Sequence, residues 1–164
     1  MSHNRVGIIY DSTRVERYHV YLFVFDISRG TAAWLSPLLL GEPIPGVWHT
    51  SVALYSTEHF YTSQGVIKCA AGKSPFGQPD YVLYLGSAHT SKCLINQFLS
   101  SHRDALFAPK NYRFLSHNCN SFSQYFLDWL LGASVPEFVR NQLHRIRDTP
   151  FGPIWLSFIE SFSA

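Results

Sequence analysis

A thiol at position 119 sits inside a run suited to activating it, Ser116-His117-Asn118-Cys119-Asn120-Ser121-Phe122. A polar turn gives way there to an amphipathic helix, because Phe122, Phe126, Trp129 and Leu130 recur at helical spacing and define one buried face. Gly132 suits a left-handed cap at the helix end, and Pro136 is a further stop. Ser116 or Asn118 can cap its start through a side-chain oxygen. Cys119 then falls in the first turn, where unpaired N–H groups and the positive end of the helix dipole favour an anion. That position is expected to lower the thiol from its ordinary pKa of about 8.5 and make the thiolate the resting nucleophile. The competing reading is a small buried hydrophobe. Chemistry requires a base.

Of the histidines, His49 follows a Gly46-Val47-Trp48 turn at the start of an extended segment. Ser51, Ala53 and Tyr55 share its face and are smaller and more polar than Trp48, Thr50, Val52 and Leu54, which leaves room for a helix N-terminus. His117 is too close in extended chain to turn back onto the sulfur and reads as structural or supporting. His19, within an apolar strand, reads as a satisfied core histidine; His3, His59, His89, His102 and His144 read as solvated.

The elements that must position this pair follow from hydrophobic patterning. Residues 18–25 are apolar on both alternating faces, as in a strand near the middle of a sheet. Residues 31–40 fit a short helix carrying Ala32, Trp34, Leu35 and Leu38, with Pro37 at a kink or boundary. Residues 47–55 are extended, with 59–62 as a hairpin partner across 56–58. Residues 65–79 read as a long loop forming a rim beside the site, and 81–85 as another strand. Thr90 is expected to cap a helix whose inward stripe is Leu94, Ile95, Phe98 and Leu99. Residues 112–115 read as a short strand delivering the chain to Cys119. After Pro136 a helix is expected to turn Phe138, Val139, Leu143 and Ile146 inward. A last helix carries the stripe Phe151, Ile154, Trp155, Phe158, Ile159 and Phe162, read as packing on the domain or, more sharply, as a partner surface.

Bulk properties narrow the function classes. A chain of 164 residues with 46% hydrophobic and 15% charged residues is one globular domain. A net charge of +2 with scattered basic residues gives no basis for nucleic-acid binding. Three cysteines without a CxxC pair and eight histidines without metal-ligand spacing point to no metal, no cofactor and a reducing compartment. No run is apolar and long enough for a membrane span, and neither a secretory segment nor a lipidation box is visible. A cytoplasmic location, with the nucleus open to so small a chain, is the expectation.

Residues 46–52, Gly-Val-Trp-His-Thr-Ser-Val, together with residues 117–123, His-Asn-Cys-Asn-Ser-Phe-Ser, resemble the paired signature of the PPPDE superfamily, and within it the DeSI branch of desumoylating isopeptidases. Residues 20–30, Leu35-Ser36-Pro37, Leu40-Gly41, residues 77–80, Val135-Pro136 and residues 149–152 extend the similarity. The resemblance divides the chain into an N-terminal leader, 1–17, and a single PPPDE-like catalytic domain, 18–164. It implies an α+β, circularly permuted papain-like fold, a small antiparallel sheet or barrel packed with helices. It also implies a dyad of His49 and Cys119 without an obligatory third acid, and a homodimer with a groove between subunits.

The implied activity is a cysteine isopeptidase that removes a ubiquitin-like modifier, SUMO before ubiquitin, from lysine conjugates. Trp48 is a candidate wall for the groove threaded by a glycine tail; Asn118, Asn120 and Gln64 are candidate oxyanion donors. Residues 62–66, Thr-Ser-Gln-Gly-Val, keep only one glycine of the glycine-rich turn found in similar sequences, a departure that bears on groove width and not on the dyad. Two rivals use the same scaffold: a protein S-acyl thioesterase (depalmitoylase) with the same dyad, and a non-catalytic modifier-binding adaptor. The step from Asn118-Cys119 into Asn120-Ser121 disfavours the first, and the presence of both dyad residues disfavours the second.

Overall fold

The computed structural model describes residues 15–161. Its centre is a five-stranded antiparallel sheet in the order β4-β3-β2-β1-β5. The strands are β1 (Glu16–Asp26), β2 (Trp48–Leu54), β3 (Thr57–Thr62), β4 (Gly65–Ala70) and β5 (Tyr81–Thr90). Val20, Leu22 and Val24 of β1 and Val52 and Leu54 of β2 face one core, as the alternation of side chains along paired strands requires. Helix α3 (Cys119–Leu131) closes that core with Phe122, Phe126 and Leu127, while Phe98 of α2 (Lys92–Arg103) stacks on Phe126 and Trp129. A smaller cluster joins Leu40 of α1 (Thr31–Leu40), Ile44, Ile146 of α5 (Gln142–Arg147) and Leu156 of α6 (Gly152–Ser161). No helix among the described residues is long and apolar enough to cross a membrane.

Local chemistry explains most boundaries. Tyr55 and Ser56 both take positive φ (53° and 61°), so the β2–β3 turn is only two residues and Thr57 and Glu58 belong to the strand. Asp26 ends β1 by accepting from the N–H groups of Ser28, Gly30 and Val47 and from the Ser28 hydroxyl. Burial raises that carboxyl, but these hydrogen bonds together hold it below the usual range. Gly46 is needed where it stands, since a Cβ there would lie 2.9 Å from the Trp48 ring and 3.0 Å from the Asp26 carboxylate.

Several expectations are corrected. Residues 65–79 are not one long loop, because 65–70 form edge strand β4 and the loop shortens to 71–80. Ser91, not Thr90, caps α2 through Leu94 N–H, and β5 runs through Thr90. Residues 112–115 form no strand; a 3-10 turn, Pro109–Asn111, and one bridge between Arg113 and His117 stand there. The helix after Pro136 breaks at Asn141 into α4 (Glu137–Arg140) and α5, and Phe138 is exposed where it caps Trp48. On α1, Leu40 is buried whereas Trp34 and Leu38 stand 79% and 82% exposed. Of the last stripe, Trp155 packs on the smaller cluster while Phe151 and Ile154 are exposed; the buried residue of this helix is Leu156, which lies outside the expected stripe. The structure describes no side chains at Phe158 and Ile159, and Phe162, like most of 1–17, lies outside the described residues.

Candidate active site

The pairing of β2 with β3 covers only Val52–Leu54 against Thr57–His59, although both strands continue past it. Beyond Val52 the two strands part, and the first turn of α3 enters the gap. Its start is fixed by Asn118, whose side-chain oxygen accepts from Asn120 and Ser121 N–H, while Ser121 Oγ accepts from Asn118 N–H. Asn118 Nδ2 donates to Phe114 O at 2.6 Å, tying the cap to the preceding turn.

Backbone groups of β2 left without a β3 partner are taken up here. Thr50 N–H donates to Cys119 Sγ. Asn120 Nδ2 donates to Trp48 O at 3.2 Å, and Thr50 Oγ1 lies 2.8 Å from both Asn120 Oδ1 and Ser123 Oγ. The thiol itself donates to Asn120 Oδ1 at 3.7 Å. Cys119 is thus anchored on the residue that follows His49.

The imidazole occupies the opposite face of the sheet. His49 is buried among Phe25, Phe60 and Phe76, with ring centroids 6.0, 5.9 and 3.8 Å away. Its Nε2 is buried and makes no hydrogen bond to Cys119 Sγ or to any other described atom. The expectation that the His49 face receives the helix is therefore corrected. α3 packs on the Thr50–Val52 face, and only its first turn, in the gap between β2 and β3, comes near His49.

Burial decides the electrostatics. It pushes the Cys119 thiol up to about 11, against the backbone N–H groups of Thr50, Asn120 and Cys119 itself, which pull the other way. Burial alone pulls His49 down to about 3. The resting pair is a neutral thiol and a neutral imidazole, not the thiolate expected from the helix start.

The remaining candidates divide. Trp48 is a buried brace, T-stacked on Tyr81 and Phe138, rather than an open groove wall. Asn118 and Asn120 are committed to the cap and to β2. Gln64 is exposed in the β3–β4 turn, with its N–H on Thr62 Oγ1 and no hydrogen bond to the cysteine cluster among the described residues. His117 is structural, stacked on Phe107 with Nδ1 on Asn111 O. His19 is exposed beside Tyr84 and Ser87, whereas His59 is buried against Phe126, the reverse of expectation. Gln142 was not anticipated from sequence. Buried on α5, it accepts from Trp48 N–H and donates to Trp48 O, holding the residue before His49 at both ends. No local pattern marks a glutamine for that task. Among the described residues no group of His, Cys, Asp and Glu is arranged to hold a metal.

Residues 18–159 match the family model described as "PPPDE putative peptidase domain". The chain is 35% identical over 144 residues to desumoylating isopeptidase 1 of Rattus norvegicus and to that of Homo sapiens, covering 88% of this chain and 86% of each relative. The Xenopus laevis protein of the same name is 34% identical over 142 residues, 87% of this chain and 84% of its own length.

Proposed function

We propose, from the premise that this chain belongs to the PPPDE peptidase family, that it is a cysteine isopeptidase releasing SUMO from lysine conjugates with Cys119 as nucleophile and His49 as base. Membership makes it a peptidase-class hydrolase. The substrate reading is supported by relatives named for desumoylation that align over most of both chains. We read the histidine-before-cysteine order as a circular permutation of the papain-like arrangement, which leaves the chemistry unchanged because geometry and not chain order defines such sites.

The observation that carries the reading is a buried thiol in the first turn of a helix, hydrogen-bonded to the residue after a buried histidine whose Nε2 has no partner among the described residues. Unliganded sites often hold such groups apart until substrate tightens them. As Cys119 Sγ attacks the carbonyl carbon of the modifier's terminal glycine, its proton passes to His49 Nε2. The imidazolium then gives that proton to the departing lysine amine. His49 next takes a proton from the water that attacks the thioester, and Sγ leaves with a proton returned to it. Asn118 Oδ1 occupies the N–H groups of Asn120 and Ser121, so the Cys119 N–H, which rests on its own Sγ, is the first-turn donor that becomes free for the oxyanion as the sulfur attacks.

Hydrolysis of SUMO-AMC by the recombinant chain is the test, with ubiquitin-AMC and an acyl-thioester probe beside it. Cys119→Ala should abolish turnover, and His49→Ala should lower kcat by roughly 100-fold or more. Turnover of the lipid probe alone would overturn the isopeptidase reading. Equal labelling of wild type and Cys119→Ala by a SUMO C-terminal electrophile would favour an adaptor.

A further inference from the structure

The face of His49 is closed by two strand residues, Phe25 and Phe60, and by one loop residue, Phe76. Phe76 makes the closest approach to the imidazole, 3.8 Å between ring centroids at 33°, and also packs on Phe25 and Phe60 at 5.6 and 5.3 Å. Its loop, 71–80, is tied down at both ends. At the first, Ala71 N–H donates to Ser56 O, and Gly72 N–H donates to Oε2 of the fully buried Glu58, whose Oε1 accepts from Ser51 Oγ. At the second, Asp80 N–H donates to Val24 O at 2.8 Å and Asp80 Oδ2 accepts from Asp26 N–H at 2.6 Å. Between the ties the chain turns through Gly77 at φ +89°. Both ties are made to β1, β2 and β3 themselves, so the loop is a strap carried by the strands that hold His49.

We propose that Phe76 is a positioning residue for His49, laid on the imidazole by this strap so that the ring keeps one orientation and stays dry. The proposal rests on His49 being the base of the reaction above. The tilted Phe76 ring blocks rotation of the imidazole away from the gap where Cys119 sits, and it excludes water from an Nε2 that has no partner among the described residues. The groups facing the imidazole from β1, β3 and the strap are the three phenylalanines. The titratable neighbours are Cys119 across Thr50 and Glu58, whose carboxyl is spent on Ser51 and Gly72. Lys73 of the strap is exposed. Cover, rather than charge, therefore governs the state of the ring.

The test is an NMR titration of the His49 ring in the full chain, paired with the pH profile of kcat/KM on SUMO-AMC. Phe76→Ala should raise the His49 midpoint by at least about one pH unit toward its ordinary 6.5, and move the acid limb of the profile with it. Phe76→Leu, which restores apolar cover, should return both toward wild type. Phe76→Val gives an intermediate shift and keeps the test available should the alanine variant not fold. Identical His49 midpoints in wild type and a folded Phe76→Ala would overturn the proposal. A midpoint that moves as expected in a protein with no activity on any modifier substrate supports the role of Phe76 at the ring and instead removes the isopeptidase reading.

Discussion

The thiol of Cys119 sits under two opposed influences. The start of α3 offers N–H groups and a positive dipole end, worth at most about 2 kcal/mol in partly buried geometry. Removing the sulfur from water costs more, and the balance stands at about 11. At pH 7 the thiolate is then about one part in ten thousand. Alkylation of Cys119 by iodoacetamide should accordingly climb about tenfold per pH unit from 7 to 10, read by mass spectrometry of its peptide to separate it from the exposed Cys93. A rate already flat above pH 7 would mean that the helix start prevails. The position of Cys119 was readable from Asn118, Ser121 and the helical spacing, since capping is chemistry among neighbours. Its protonation state was not, because dehydration is imposed by β2, a strand distant in sequence.

Elements tell a similar story at longer range. The parting of β2 from β3 leaves Trp48 N–H and O to a glutamine 94 residues later in the chain. Gln142→Ala should strand the buried Trp48 N–H and cost about 1–3 kcal/mol, measured by urea unfolding. It should lower kcat/KM as the strand start holding His49 loosens. Unchanged stability would mean that the Trp48 N–H finds another acceptor when Gln142 is shortened. Strand β4 escaped the sequence reading because it is an edge strand with mostly half-buried or exposed residues, so no apolar alternation marks it. Strand β1 was legible from its apolar run, whose alternate residues are buried, and β2 from the extended pattern that follows the Gly46-Val47-Trp48 turn, although His49, Thr50 and Ser51 are buried polar residues within it.

Across the described residues, folding buries two histidines, His49 and His59, in the neutral form. His49 is lowered to about 3 by burial, and His59 to about 4 by burial first and then by Lys68 beside it. Both are depressed from 6.5, so the unfolded chain binds the additional protons. Their contribution is complete above pH 6.5 and is lost as pH falls from there toward the folded values. Each should add a slope approaching about 1.4 kcal/mol per pH unit below that point. Urea midpoints should fall steeply from pH 6.5 to 5, and His59→Gln should remove about half of that slope; a flat profile would show that both rings titrate normally. The amino-acid sequence alone determined the cysteine's place at a capped helix start, the pairing of β2 with β3 as a hairpin (though not its two-residue turn) and the family signature, because each is written in residues within a few positions of one another. Tertiary structure alone decided which face of the sheet holds His49, that the gap between β2 and β3 admits the first turn of α3, and that Gln142 and Phe76 attend the site. Those outcomes depend on what occupies the space around a group, and its neighbours there come from distant parts of the chain.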